Sequence, residues 1–402
     1  MLLNLCTTPL VAITAFLFAF CDFEIFPLPY PAITHKLVDV PEEKIPGPSL
    51  PLEGTLARNN ILREHAVANL FAEQVHGSES VAIGPTETSV TLLDRFGYLW
   101  VADRASLGSQ EGYLLRKEPE TYIGPGRPLG FKYNAASGHL IVCDSLKGLL
   151  SVETGFKRFH ILANRVSLNS AIDPGSIITY ANDLDIASDG KVFFSDSLNI
   201  STALNRENYY DSFWSFLLSL VTGYCSGRLL SYDPATEETH VIANGFWSSN
   251  GVALSSDESF VAVAETNCFA IRRVWLKGPK AGTVDTLVES LPGFPDGLSR
   301  GSDGNFWIAI VGLRSPVVPL LKYKLFRFLL AWTPSAIRPK VPDPGLVIKV
   351  SPQGEILASL WDPTGERVRG ISAVEEHMGR LWLGNLKGSG VSYLDLTHQQ
   401  SR

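Results

Sequence analysis

The sequence predicts an all-β fold, a six-bladed β-propeller with an N-terminal hydrophobic anchor or signal helix and two short helical insertions. Three observations carry this prediction. A unit of turn, apolar strand and small or acidic stop recurs six times along the chain. The 34 Gly and 25 Pro among 402 residues suit many short strands joined by tight turns. Hydrophobic residues make up 45% of the chain, enough to fill one large core. The boundaries read as an anchor or signal segment over 1–26, a linker and lead-in over 27–70, and the propeller over 71–398.

The first element is the apolar run Leu2–Phe20, with no charged side chain before Asp22. Its length is about that of one bilayer crossing. A cleaved signal peptide would show a basic start and small residues at the cut. Neither is clear, since Phe20 and Cys21 follow Ala19, so the run reads as an uncleaved anchor in preference to a signal. That reading puts the propeller on the luminal or extracellular side of a membrane, in the secretory pathway. There the sequon Asn199-Ile200-Ser201 is a glycosylation site at Asn199. Pro27–Gly54, rich in proline and mixed charge, reads as a tether, and Asn59–Phe71 as a short helix leading into the fold.

The six repeats are Phe96–Asp103, Ser137–Asp144, Asp189–Asp196, Asp257–Glu265, Asp303–Ile310 and Met378–Gly384. Asp-Gly or a similar turn between two apolar stretches is a strong hairpin signal. A second strand pair follows several copies. Arg228–Ile242 turns at Asp233-Pro234, and Leu346–Leu357 turns between Pro352 and Gly354. Each blade therefore reads as a four-stranded meander.

The innermost strands line the axis of a propeller, so the residues just before each turn converge. Asn182, Asn250 and Asp296 each stand eight residues before the turn residues Gly190, Glu258 and Gly304. Equal register places them at equal height. Glu79, at the start of the first blade, joins them. Carboxylate and amide oxygens gathered at one point suit calcium, which takes six to eight oxygen ligands. Glu79, Asn182, Asn250 and Asp296 are the candidate metal ligands. Asp296, or the neighbouring Asp183, is the candidate proton acceptor in catalysis. Arg127 and Arg369, at the matching strand entries of the second and sixth blades, are candidate substrate-binding residues.

Other chemistries find no motif. The chain has no nucleophile elbow, phosphate loop or His-Glu-x-x-His. A net charge of -7 without a basic run excludes a nucleic-acid partner. Five cysteines are too few for a disulfide scaffold, and Cys143, inside an apolar strand, reads as a core residue. The two insertions are Phe213–Val221 and Pro319–Trp332. Each follows the second strand of its blade, so both should emerge on the face that carries Asn182. Lys322, Lys324 and Arg327 among bulky apolar residues give the second the pattern of a helix lying on a membrane.

Several segments carry a resemblance to a known family. Gly126–Gly130, Asn182–Asp185, Thr222–Leu230, Ser249–Leu254, Val263–Thr266, Trp275–Thr283 and Leu291–Asp296 resemble the strictosidine-synthase-like family. That resemblance implies a propeller related to the calcium-dependent paraoxonases and gluconolactonases, with the calcium pattern falling on Glu79, Asn182, Asn250 and Asp296. Two positions depart from it. Gly297 stands where most relatives have Asn, and Ser80 where paraoxonases carry an acidic residue for a second calcium. Aligning on Glu375–Gly384 also puts Arg369 where strictosidine synthase has its catalytic glutamate. A guanidinium cannot accept a proton. The expected activity is thus calcium-dependent hydrolysis of a small apolar ester or lactone. The alternative is a non-catalytic, membrane-tethered binding propeller, and strictosidine-type condensation ranks below both.

Overall fold

A computed structural model describes residues 36–396, apart from 85–86, 108–109, 154, 156–157, 206 and 334–336. The N-terminal run read as an anchor or signal helix lies outside the described residues. Among those residues, no helix is long and apolar enough to cross a membrane.

Among the described residues, six antiparallel blade sheets are strung in chain order, and a separate two-stranded sheet, Ala203–Leu204 with Tyr210–Asp211, is inserted in the third. Their innermost strands are Ala82–Ile83, Pro128–Tyr133, Ala181–Ile186, Ser249–Leu254, Gly293–Arg300 and Ala373–His377. Each alternates one face toward each neighbouring blade. The result is apolar seams such as Phe194 with Leu230 and Val241, or Trp361 with Leu346 and Phe306. Side chains of this size stabilise by about 1.5–3 kcal/mol each when fully buried. The ring closes through Val67–Leu70, which pairs with Val391–Asp395 as the outermost strand of the sixth blade. These four residues fall within the stretch read as lead-in.

Five of the six repeat turns join the first and second strands of a blade, as the pattern predicts. The first does not. Its turn joins Ser89–Leu93 to Tyr98–Leu107, the second and third strands of blade one. Asp94 makes that turn, its carboxylate accepting the Phe96 and Tyr98 amides at 3.0 Å. The true first hairpin of this blade closes with the Gly84 amide donating to the Ser89 carbonyl at 2.9 Å. No Asp-Gly marks it.

Two acidic stops, Asp196 and Glu265, hold in place the crossover that enters their own blade. Asp196 accepts the Thr179 and Tyr180 amides at 3.1 and 2.7 Å, and Glu265 accepts the Trp247 amide at 2.8 Å. Each buried carboxylate also takes a guanidinium, Arg228 on Asp196 and Arg272 on Glu265.

The segment expected as a tether is, from residue 36 on, a strap against the propeller. The Val38 amide donates to the Thr222 carbonyl at 2.9 Å, and the Leu50 amide to that of Ser290 at 2.8 Å. Lys44 reaches Glu265 at 2.5 Å. Val40, Leu56 and Leu62 are buried. A short helix α1 (Ile61–His65) then leads into the closing strand.

Both insertions are helical. Helix α2 (Ser212–Thr222) starts on Asp211, whose carboxylate accepts the Phe213 and Trp214 amides. It ends on Gly223 at φ 81°, a left-handed position that favours glycine. Helix α3 (Lys324–Trp332) packs on α2 through Leu330 and Ala331 against Leu218 and Val221. Arg327 is not a surface cation as the sequence pattern implied. It is buried and donates to the Val221 carbonyl at 3.0 Å and the Val38 carbonyl at 2.5 Å. The helix end and the strap offer bare carbonyls there, and a guanidinium satisfies both. Cys143, Cys225 and Cys268 are all free thiols, and Cys143 is a fully buried core residue.

A candidate cation centre on the propeller axis

One backbone device, repeated in three blades, builds most of the site. Ala181 stands opposite Asp196 and Leu184 opposite Phe194, so three steps on the inner strand face two on its partner. Ser249 and Val252 against Glu265 and Val263 repeat this, as do Pro295 and Leu298 against Ile310 and Ile308. Each is a β-bulge, which unpairs a residue and re-aims its side chain. The residues so released are Asn182, Asn250 and Asp296, and all three line one cavity. Glu79 joins them from blade one without a bulge. It is held by blade six, where the Ser372 hydroxyl donates to its carbonyl at 3.3 Å and the Asn385 amide to that of Ser78 at 2.9 Å.

All four side chains are buried. Their nitrogens are engaged: Asn182 Nδ2 donates to Ser197 Oγ at 3.0 Å, and Asn250 Nδ2 donates to Asp296 Oδ1. Three of their oxygens are not. Glu79 Oε2, Asn182 Oδ1 and Asn250 Oδ1 are buried with no hydrogen-bond partner. Buried polar atoms are nearly always satisfied, so three orphans on one wall mark a missing partner. The partner must offer positive charge to oxygens only, which fits a hard cation. Among the described residues no group of three or more His, Cys, Asp or Glu is placed to hold a metal ion without amide oxygens. The donor set here is two carboxylates and two amides, which favours calcium over the softer transition metals.

The electrostatics agree. Burial pushes the Asp296 carboxyl up to about 7; the Asn250 hydrogen bond opposes this and the Asp183 charge adds to it. Burial, and then the Asp296 charge, carry Glu79 well above the ordinary carboxylate range, against the pull of Arg127. Two carboxyls that resist ionisation in a dry site are stabilised by a cation between them.

The other predicted residues fall elsewhere. Asp183 points away along the strand, and its Oδ2 accepts the Val252 amide of blade four at 2.9 Å. Asp185 does the same for Leu254 at 2.8 Å, so the pair ties two blades together. Arg127 is buried outside the cavity lining, with Nη2 donating to the Leu386 carbonyl at 3.1 Å. Its charge acts on Glu79. Arg369 does line the cavity, at the mouth, ion-paired to Asp343 at 3.1 Å. Asn199 is exposed. Gly297 is more than a lost ligand. A Cβ there would meet Ala373 Cα and the Ser372 carbonyl oxygen of blade six, each at 2.7 Å. Its amide donates to that same carbonyl at 2.7 Å.

The cavity holds about 470 Å³. Sequence reasoning placed the Phe213–Val221 insertion on the face that carries Asn182, and that insertion does supply one wall; the other walls it missed. Ser197 and Thr266 follow the acidic stops Asp196 and Glu265, so the same register argument applied to second strands would have found them. Phe213, Phe216 and Leu217 of α2 form one wall, Phe294 another, and Lys387 stands at the mouth, its ammonium 4.0 Å from the Phe213 ring centre. Nothing local in the sequence marks Phe294 or Lys387 as lining residues.

A six-bladed propeller with a candidate oxygen-only cation site at the floor of an axial, largely apolar cavity is the class that fold and site define. Within it, the chain belongs to the strictosidine-synthase-like family. Residues 182–279 match the strictosidine synthase family model. The adipocyte plasma membrane-associated protein of Rattus norvegicus is 33% identical over 85% of this chain and 89% of its own length. Protein STRICTOSIDINE SYNTHASE-LIKE 3 of Arabidopsis thaliana is 32% identical over 90% and 91%. Among solved structures, a gluconolactonase from Xanthomonas campestris shares the fold with TM-score 0.55 at 16% identity, covering 82% of this chain and 88% of its own. A luciferin-regenerating enzyme does so with TM-score 0.51 at 13% identity, covering 82% and 95%.

Proposed function

We propose that this protein is a calcium-dependent hydrolase of apolar esters or lactones. The observation that carries the reading is the set of three buried, unpartnered oxygens beside Asp296 at the floor of an apolar cavity. Glu79, Asn182, Asn250 and Asp296 would hold the ion, with water or substrate completing its shell. Calcium bound there supplies Lewis-acid polarisation of the substrate carbonyl. The aromatic wall of Phe213, Phe216 and Phe294 receives the apolar part of the substrate and excludes bulk water. Asp296 is the carboxylate placed to take a proton from an attacking water. Arg369 and Lys387 at the mouth hold a polar end of the substrate.

The same reading puts the protein at a membrane. It does so through Leu2–Phe20, and two supports agree: the length of that run and the name of the plasma membrane-associated relative. The propeller then faces the lumen or exterior, where exposed Asn199 is open to glycosylation.

A specific observation favours a second reading, a binding propeller without turnover. The backbone contact at Gly297 keeps a fifth side-chain oxygen out of the ring. Strictosidine-type condensation has no support, because Arg369 is ion-paired to Asp343 and stays protonated.

The deciding experiment assays the full chain on aryl esters and lactones, with calcium or with a chelator. Turnover that the chelator abolishes, and that Asp296→Ala and Asn182→Ala reduce by about a hundredfold or more, supports the hydrolase. Calcium-dependent melting without turnover supports the binding propeller. A melting temperature indifferent to calcium and chelator would refute the cation centre.

A further inference from the structure

We propose that the outward face of α3, with Ile337 and Val341 beyond it, is a membrane-docking surface, and that it sets the cavity mouth against an anionic bilayer. The helix divides its side chains sharply. Arg327, Leu330 and Ala331 face the protein. The other side leaves Leu325 69%, Phe328 46%, Leu329 55% and Trp332 43% exposed. Beyond the helix, Ile337 is 72% and Val341 43% exposed. A contiguous apolar face of this kind marks an interaction site rather than a scattering of surface residues. Lys322, Lys324 and Lys340 stand around it, the arrangement that suits an interfacial helix on acidic headgroups.

The chain itself indicates which partner covers this face. Its described part begins at the patch, where Asp39 pairs with Lys324 at 3.0 Å and Val38 is held between α2 and α3. Upstream, only the 15 residues 21–35 separate this point from the uncharged run Leu2–Phe20. Fully extended they span roughly 50 Å. A membrane holding that run therefore lies within reach of α3. The cavity opens on the same side, because Arg338 to Val341 form part of its wall and Arg338 donates to the Thr333 carbonyl, at the end of α3, at 2.7 Å. Val341 both lines the cavity and is exposed. A long-chain ester dissolved in the bilayer could then pass into the cavity without crossing water. This entry route rests on the hydrolase reading; the docking surface does not.

The test uses the full chain reconstituted into phosphatidylcholine vesicles, with and without phosphatidylserine. An environment-sensitive fluorophore is placed at Leu329→Cys. A control label goes at Leu357→Cys, an exposed position just past the turn at the other end of the strand Gly345–Val350 from α3, and the unsubstituted chain serves as the labelling blank. At position 329, nitroxide-bearing lipid should quench strongly and aqueous iodide weakly, with lipid quenching rising when phosphatidylserine is present. At position 357 the order should reverse. Iodide reaching both labels alike would overturn the proposal. Shielding at 329 without lipid quenching would also overturn it, and would assign the face to a second copy of the chain. In the second arm, Leu325→Ser with Leu329→Ser should slow hydrolysis of a vesicle-borne long-chain ester several-fold and leave a water-soluble aryl ester unaffected. Equal losses on both would refute the entry route. If the wild-type chain turns over neither ester, the hydrolase reading fails, and the label measurements still decide the docking surface.

Discussion

Blades two and four carry the same inner-strand bulge and opposite side chains. In blade four it releases Asn250, in blade two Leu129, since Pro128 and Phe131 stand against Asp144 and Val142 as Ser249 and Val252 stand against Glu265 and Val263. Asn250 presents an unpartnered oxygen to the cavity, whereas Leu129 packs on Tyr180, Leu198 and Leu218 beneath α2. The backbone therefore sets the height at which side chains meet, and residue type decides whether that height presents oxygens to the cavity or apolar surface to a core. Blades three, four and five supply oxygens; blade two supplies the floor on which the α2 wall rests.

Exchanging the two residues tests this contrast most strongly. Asn250→Leu should remove the calcium-linked part of stability, about 2.7 kcal/mol when calcium is a hundredfold above its dissociation constant. In chelator the loss should be smaller. Leu129→Asn should cost about 3 kcal/mol through lost packing and leave the calcium response intact. Melting curves with calcium and with chelator read both. A calcium response lost in both variants would mean that the blades do not divide as described.

The next effect concerns the position after the bulge. Gly251 and Gly297 let neighbouring inner strands approach closely. Gly297→Asn, although it restores the residue common in relatives, should destabilise by about 2 kcal/mol from overpacking and fail to tighten calcium. Denaturant titration and calcium binding check this, and a gain in affinity at unchanged stability would refute it. Blade three carries Asp183 at that place. Asp183→Ala should cost about 1–2 kcal/mol by stranding the Val252 amide, equally in calcium and in chelator. A selective loss of turnover at unchanged stability would instead return Asp183 to catalysis.

The smallest effect lies deeper in the channel. Burial pushes Glu375 up to about 7 against the attraction of Lys132, whose ammonium sits 3.8 Å from Glu375 and 3.1 Å from Asp185. In the unfolded chain this carboxyl ionises near its ordinary value, roughly 4.3. The folded state therefore holds the extra proton between those two values, and stability falls as pH rises from about 4.5 through 7. Glu375→Gln should flatten that slope, so the variant gains on wild type between pH 5 and pH 8. Parallel melting profiles across that range would show that Glu375 does not carry the slope.

How much of this was legible follows from the same residues. Asn182, Asn250 and Asp296 were readable because register is a count along one strand, and a count survives folding unchanged. Glu79 came from the family pattern and its place at the first blade, since the turn taken for that blade lies one strand too far. The anchor, the choice of calcium and turnover remain proposals resting on chemistry and resemblance.

The sequence by itself determined the meander, the six blades, the family, the three matched bulge residues and the presence of two apolar insertions. Each is a local or periodic property, written in side-chain alternation and turn residues. Only the tertiary structure decided that Asp183 ties two blades, that Arg127 lies behind Glu79, that Arg327 is buried and that the lead-in is a strap. It also decided that Phe294 and Lys387 share a cavity with α2. These are contacts between blades distant in the chain, and they depend on how closely two backbones approach, which no single strand encodes.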